Sequence, residues 1–275
     1  MSDFVPPQNP TLEWASDVAA EMLRRSGLKY ISLVPGASYR GLHDSIVNYL
    51  GNKDPEIVLC LTEQAAVGVA HGYAKVTGKP MGVALHANIG VMHAAINIFD
   101  AFADRMPMVI MGATGPVDAA KRRPWIDWIH TAADQASMVR DYLKWDDQPG
   151  SAEAIAESVL RATLMASTAP MGPTYVCLDA ALQEEPLGGP IALPNPKYFP
   201  VGAPPGPDSA SLEQAVTALK AAKKVVILAG RVSRDEDDWM RRIQLAEALD
   251  AKVYTALKLA ASFPSSHPKH ERLLP

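Results

Sequence analysis

The sequence predicts an α/β protein: a doubly wound, mostly parallel sheet with helices on both faces, followed by an incomplete second α/β domain. From residue 11, short and almost entirely apolar runs alternate with segments of helical periodicity, a pattern typical of strands that are buried on both faces of a parallel sheet. A proline-rich stretch interrupts this alternation at residues 184–207. Only two helices and two strands follow it, too few to cover both faces of a second sheet.

The first half of the chain alternates regularly between the two kinds of element. Residues 11–26 form a predicted amphipathic helix, which Gly27 ends. Strands are then predicted in the segments KYISLVPG, EIVLCL, PMGVALH and MPMVIMGA, and helices at residues 39–50, 64–77 and 91–103. Since parallel neighbours need crossover connections, these helices are expected to cover the sheet.

The pattern loosens at residues 116–150, where a long and partly structured excursion is predicted. A helix in SAEAIAESVLRATLMAST and a strand in GPTYVCLD then complete the predicted first domain, residues 1–183. The segment 184–207 contains eight prolines and is predicted to be a semi-rigid linker. Residues 208–275 are predicted to be the start of a truncated second domain.

Net charge and the distribution of apolar residues disfavour several classes of protein. The formal net charge is −4 and there is no long basic run, which disfavours nucleic-acid binding. The amino-terminal segment MSDFVPPQNP lacks the basic and apolar regions of a signal peptide. No apolar run approaches the roughly 20 residues that a membrane-spanning helix needs. We therefore expect a cytoplasmic protein without a membrane partner.

Polar side chains follow three of the predicted strands at the point where each strand ends. Ser38 follows a Pro-Gly turn, Glu63 separates a strand from a helix, and His86 follows Leu85 directly. The carboxyl ends of parallel strands form one edge of a sheet, where α/β proteins bind ligands. Each residue also has a purely structural interpretation, as a helix cap, a first-turn acid or a core histidine.

The helix after Glu63 is built largely of small residues: Ala65, Ala66, Gly68, Ala70, Gly72 and Ala74. Small residues allow another backbone to approach closely, so this helix is expected to be buried against a neighbour. A carboxylate at its first turn would then be poorly hydrated, which favours the neutral acid. Such a group is costly unless a ligand uses it.

The segments LTEQAAVGVAHGYAKVTGKP and GVALHANIGVMHAAINIFDAFADRMPMVIMGA resemble the pyrimidine-binding domain of thiamine-diphosphate-dependent enzymes. The branch is the one that contains acetolactate synthase and benzoylformate decarboxylase. The similarity covers about residues 11–182, and residues 208–260 resemble the start of the central domain of that family. The resemblance implies thiamine diphosphate as cofactor and a 2-oxo acid as substrate.

The resemblance also implies roles for individual residues. The glutamate that matches Glu63 binds N1′ of the aminopyrimidine in relatives and promotes formation of the C2 ylid. The expected catalytic residues are Glu63, His86 and Ser38. The expected cofactor-binding residues are Pro35, Gly36, Glu63, Asn88, Gly90 and His93. The expected substrate pocket contains Ala37, His86 and His130.

Two reactions remain open at this point. His86 matches an active-site histidine of benzoylformate decarboxylase that acetolactate synthases generally lack, which favours a 2-oxo acid decarboxylase. An acetolactate synthase-like or 2-hydroxyacyl lyase-type carboligase is the alternative. His93 departs from the asparagine usual in the family. The run KRRPW, residues 121–125, is either an anion-binding loop or a solvated one.

The diphosphate-binding motif of the family is missing from the sequence. Relatives use a Gly-Asp-Gly…Asn motif in a third domain to hold the diphosphate through Mg²⁺, and this chain contains no Gly-Asp-Gly. No metal ligand is therefore assigned to this chain. The expected partner is a carboxyl-terminal diphosphate-binding domain or chain, in a homo- or hetero-oligomer. A non-catalytic assembly module is the competing hypothesis.

Overall fold

A computed structural model describes residues 11–203, 205–256 and 261–271, which divide into two compact units, residues 1–203 and 204–275. The first unit contains a sheet of six strands in the order β2-β1-β3-β4-β6-β5, with every neighbouring pair parallel. The strands are β1 Tyr30–Leu33, β2 Glu56–Leu59, β3 Met81–Leu85, β4 Met108–Thr114, β5 Trp145–Asp147 and β6 Pro173–Asp179. The predicted α/β class is confirmed.

Helices cover both faces of this sheet. They are α1 Ala15–Arg25, α2 Arg40–Asp44, α3 Glu63–Thr77, α4 Ala87–Asp104, α5 Asp127–His130, α6 Ala152–Ser167 and α7 Ala180–Gln183. One apolar core joins α1 and α6 to the sheet, and a second joins α3 and α4 to its other face. Because each core lies on its own face, the sheet is doubly wound as the alternating pattern predicts.

Three element boundaries differ from the sequence prediction. Helix α4 begins at Ala87 rather than at residue 91, so Gly90 lies in its first turn instead of opening it. The helix predicted at residues 39–50 is divided into α2 and a π-helical turn, Ser45–Tyr49. The loose segment 116–150 contributes α5 and the edge strand β5. Tertiary packing decides such boundaries, which periodicity alone leaves imprecise.

The second unit is small. Its helices are α8 Ser209–Ala221 and α9 Glu236–Ala248, and its parallel strands are β7 Val226–Ala229 and β8 Lys252–Thr255. Among its described residues, four buried apolar side chains form the core: Ala229, Ala246, Val253 and Phe263. None of the residues of α8 is buried. The second α/β domain is therefore incomplete, as expected from the sequence.

The proline-rich segment begins as part of the first unit. Leu187, Ile191 and Leu193 pack against the core that contains α1 and α6. The backbone N–H of Leu187 also donates to the carbonyl of Glu13 at 2.8 Å. The assignment of residues 184–207 as a linker between two domains stays a prediction.

In the described part of the chain, no helix has the length and apolar character required to cross a bilayer.

Candidate functional site

Three adjacent strands, β2, β1 and β3, bring the predicted site residues to one edge of the sheet. Strand β2 ends at Leu59, and α3 begins at Glu63 after the cap Thr62, whose side chain accepts from the N–H of Ala65 at 3.2 Å. Strand β1 leads into the turn that holds Ser38, and β3 leads into His86. Parallel pairing places the three carboxyl ends side by side.

Glu63 is the first residue of α3, and its side chain lies against α4. Its side chain is 15% exposed, and its Oε2 lies 2.8 Å from Nδ1 of His93. A Cβ added at Gly90 would lie 3.3 Å from Cγ and 3.5 Å from Oε1 of Glu63. Glycine at position 90 therefore gives the carboxyl group room against α4. Among the described residues, only His93 is bonded to this carboxyl group, so Oε1 has no protein donor.

Ser38 is buried and makes two hydrogen bonds at the end of β3. Its Oγ lies 3.0 Å from Nδ1 of His86 and accepts from the N–H of Ala87 at 3.0 Å. Ala87 has a φ of 49°, in the left-handed region that costs a non-glycine residue about 1–3 kcal/mol. The turn after β3 is thus held in a strained conformation that directs the His86 ring towards Ser38.

Gly36 provides space for the His86 ring. A Cβ at position 36 would lie 2.4 Å from Cγ and 2.5 Å from Nδ1 of His86. The backbone of Gly36 is extended, with a φ of −159° that any residue adopts. The requirement for glycine at this position is therefore steric, and the closest contacts would be with Cβ, Cγ and Nδ1 of His86.

The segment around α5 brings His130 to His86. The two ring centroids are 4.7 Å apart with an interplanar angle of 70°. Asn88 ties this segment to α4, because its Nδ2 donates to the carbonyl of Ile129 at 3.2 Å. Asp127 anchors the other end by accepting from Arg123 at 2.8 Å. Two imidazoles therefore face each other beside the strand ends.

The basic run at residues 121–125 stabilises this loop. The Arg123 guanidinium holds the pKa of Asp127 below its usual range. Arg122 donates to the carbonyls of Pro116 and Val117 at 2.6 and 2.9 Å, and Lys121 pairs with Glu185 at 2.6 Å. These contacts favour the interpretation of the run as a structural loop.

Two residues of the site were missed by sequence reasoning. Gln183 is buried, and its Nε2 donates to the carbonyl of Ser38 at 2.9 Å, which holds the turn after β1. Tyr39 donates its hydroxyl to the carbonyl of Val34. Burial raises the pKa of Tyr39 well above its ordinary value, and the Glu63 carboxylate acts in the same direction. Tyr39 lay inside a predicted helix, and Gln183 carried no local signal.

The structure gives the remaining predicted residues different surroundings. Pro35 and Ala37 are exposed, on the turn between Val34 and Ser38. The Asn88 side chain donates to the carbonyl of Ile129 in the α5 segment, as described above. A cavity of about 760 Å³ lies beside α1 and α2, with Trp14, Arg40 and Tyr49 in its wall. Neither Glu63 nor His86 lines this cavity.

The charge state of His86 makes stability depend on pH. Burial lowers the pKa of His86 from its ordinary 6.5, and the neighbouring His130 lowers it further, whereas the Glu63 carboxylate raises it. Below pH 6.5 the unfolded chain therefore binds more protons at this position than the folded chain does. The associated stability is complete above that pH and is lost as the pH falls through the lower folded-state pKa.

We therefore expect the free energy of unfolding to decline less on acidification in a His86→Asn variant than in the wild type. Asparagine does not titrate, and its amide retains a group near the position of Nδ1. Urea denaturation between pH 8 and pH 5 measures the effect in both proteins. Parallel declines in the two proteins would contradict the lowered pKa.

Comparison with known proteins relates this arrangement to one family. Residues 13–138 match the family model described as "Thiamine pyrophosphate enzyme, N-terminal TPP binding domain". The chain is 26% identical over 256 residues to the mitochondrial acetolactate synthase catalytic subunit of Saccharomyces cerevisiae, covering 90% of this chain and 36% of that protein. It is 23% identical to benzoylformate decarboxylase of Pseudomonas aeruginosa, covering 93% and 46%.

A solved structure shows the same fold. The X-ray structure of a protein from Mycobacterium smegmatis, described as a thiamin diphosphate-dependent enzyme, superposes with a TM-score of 0.81 at 26% identity. The match covers 96% of this chain and 49% of that one. The chain thus spans less than half the length of these relatives.

Proposed function

This chain belongs to the thiamine pyrophosphate enzymes through the N-terminal TPP binding domain at residues 13–138, and from that premise we propose that it forms the pyrimidine side of a 2-oxo acid decarboxylase. One observation carries the proposal. A largely buried carboxyl group, Glu63, lies at the ligand-binding edge of the sheet with Oε1 free of any donor in the described residues. His86 follows β3, which is separated from β2 by one strand, β1.

The residues present fit the aminopyrimidine of thiamine diphosphate. An oxygen without a donor suits a protonated ring nitrogen, and the lack of a side chain at Gly90 leaves space beside it. Glu63, Gly90 and the turn that contains Gly36 would hold the ring. When bound, the cofactor supplies the carbanion chemistry that protein side chains lack.

The role of Glu63 is to hold and return one proton at Oε1. A carboxyl group within hydrogen-bond reach of a ring nitrogen can exchange a proton with it, as general acid–base catalysis requires. His93 at Oε2 leaves Oε1 for this exchange. Glu63 is therefore the residue that would activate the cofactor.

The role of His86 follows from its bond to Ser38. The Ser38 Oγ accepts from Ala87, and within the described residues the acceptor in reach of its hydroxyl proton is Nδ1 of His86. The neutral imidazole then carries its proton on Nε2. Burial, which lowers the pKa of His86, keeps the ring neutral at physiological pH. An Nε2–H donor suits an oxygen of a 2-oxo acid, and Ser38 acts through this ring.

A carboligase is the alternative reaction, and the match to acetolactate synthase supports it. The two reactions would differ in the second reactant, which is a proton in the decarboxylase and a second carbonyl compound in the carboligase. The His86–His130 pair favours the reaction in which the second reactant is a proton. Decarboxylation is therefore the first candidate.

The complete site is proposed to require a second domain or chain. Apolar side chains of α3 and α4 form an exposed surface, here called the α3/α4 face: Val69, Met92, Ile96, Phe99 and Phe102. Such a surface suits association. It lies on the helices that carry Glu63 and His93, so the partner proposed here would bring the diphosphate and Mg²⁺ site to Glu63. A non-catalytic module would associate in the same way without turnover.

The test is a cofactor-dependent assay of the assembled protein with thiamine diphosphate and Mg²⁺. Benzoylformate and pyruvate serve as substrates, and both carbon dioxide and the coupled product are measured. We expect carbon dioxide and an aldehyde from benzoylformate. A predominant coupled product from pyruvate would favour the carboligase. Cofactor binding without turnover of a panel of 2-oxo acids would support the non-catalytic module.

A further inference from the structure

We propose that His93 is a positioning residue for Glu63, which fixes the carboxyl group and determines which of its oxygens is offered to the cofactor. The inference rests on the proposed function of Glu63. His93 lies on α4 rather than at a strand end, and its side chain is 45% exposed. Its only described bond is to the carboxyl group that the proposed chemistry needs.

The geometry holds the carboxyl group from two sides. Gly90 and His93 are three residues apart on α4, so both lie on the helix face towards Glu63. Gly90 accommodates Cγ and Oε1, and Nδ1 of His93 binds Oε2 at 2.8 Å. The two oxygens, which are equivalent in a free carboxylate, are therefore distinguished in this protein: Oε2 is engaged by the imidazole and Oε1 is not.

The bond also determines the tautomer of the imidazole. An ionised carboxylate only accepts hydrogen bonds, so Nδ1 must carry the proton when His93 is neutral. The tautomer of His93 is therefore a direct readout of its bond to Glu63.

The other titratable groups around Glu63 are not bonded to its carboxyl group. Tyr39 lies on the turn after β1, and burial keeps it neutral. His86 lies at the end of β3 and is bonded to Ser38 rather than to Glu63. His130, on α5, contacts His86. His93 is thus the titratable side chain that is directly bonded to Glu63 in the described structure.

A second histidine–carboxylate pair provides a matched control. His71 on α3 binds Asp104 on α4 at 3.0 Å, so it also bridges the two helices. This pair lies two turns of α3 beyond Glu63. A His71→Asn variant therefore tests the loss of an imidazole between α3 and α4 without changing the surroundings of Glu63.

The first experiment uses the cofactor-free chain. Nitrogen-15 NMR at pH 8 reports which nitrogen of His93 is protonated. We expect an Nδ1–H signal in the wild type and in His71→Asn, and mainly Nε2–H in Glu63→Leu, which lacks the acceptor. An Nε2–H tautomer in the wild type would overturn the proposal, because Nδ1 would then not donate to Glu63.

The second experiment measures exchange of the cofactor C2 proton for deuterium in the assembly with thiamine diphosphate and Mg²⁺. We expect His93→Leu to slow exchange about tenfold, the equivalent of one charge-assisted hydrogen bond. His93→Asn, whose amide reaches the position of Nδ1, should restore the rate to within about threefold.

The outcomes separate this inference from the proposed function. Slow exchange in Glu63→Gln together with wild-type exchange in His93→Leu would refute the role of His93 alone. Wild-type exchange in Glu63→Gln would refute the proposed function and, with it, the positioning role. Equal losses in His93→Leu and His93→Asn would refute positioning, since they would indicate only packing.

Discussion

Replacing Glu63 by Gln is expected to lower kcat/KM of the assembled enzyme by about 10²–10⁴, the usual range for a lost general acid–base group. Glutamine has nearly the same shape and still accepts a hydrogen bond from Nδ1 of His93. It cannot release a proton to a ring nitrogen or take one back. Steady-state kinetics with a saturating concentration of thiamine diphosphate would isolate this loss from weaker cofactor binding.

The fold should tolerate this substitution, because the change at Glu63 preserves side-chain volume and the oxygen that accepts from His93. Equal thermal midpoints of the two proteins would establish that point. A Glu157→Gln variant is the matched control, since Glu157 is an exposed partner of Arg161 on α6, far along the chain from the site. Its activity should stay within about twofold of the wild type. Glu63→Gln with activity close to that of this control would refute the proposed function.

Replacing Gly36 by Ala is expected to lower kcat/KM by about 10²-fold, because misplacement of a catalytic group by 1 Å has an effect of that size. The added methyl group would lie within 2.4–2.6 Å of three atoms of His86. The backbone at position 36 accepts alanine without strain. Because one of these atoms is Cβ of His86, rotation of the imidazole does not relieve the contact. The whole His86 side chain must shift, and its bond to Ser38 would be lost. Kinetic assays with a 2-oxo acid would measure the effect.

A comparison of alanine substitutions distinguishes the displaced imidazole from a general loss of stability. Gly189→Ala places its methyl group in open space, with no atom within 4 Å, and should leave activity and thermal midpoint unchanged. The double variant Gly36→Ala/His86→Gly removes the three atoms closest to the added methyl group, so it should recover stability of about 1–3 kcal/mol without recovering activity. Wild-type turnover in Gly36→Ala would show that the position of His86 does not limit the reaction.

The order of the elements could be predicted from the sequence because it depends on local patterns. Apolar runs and helical periodicity place β1 to β4, α1 and α3 in the correct order. The junction between β2 and α3 locates Glu63 at a strand end, and Leu85 locates His86 in the same way. The boundaries of α4 and the edge strand β5 were not predicted, since they depend on contacts with segments distant in the chain.

The pairs that define the candidate site were decided by tertiary structure. Sequence placed Ser38, Glu63 and His86 at strand ends, but it did not show that Ser38 binds His86 or that His93 binds Glu63. The surroundings of His86, with Gly36 on one side and His130 on the other, also appear only in the folded chain.

The physical reason is the difference between local and non-local interactions. Residue type and spacing determine whether a segment prefers a strand or a helix, so the sequence alone determined the α/β class and the strand-end positions of the candidate acid and imidazole. Strand order places β1 between β2 and β3. That order depends on packing across the whole sheet, and it is what brings together side chains far apart in the chain.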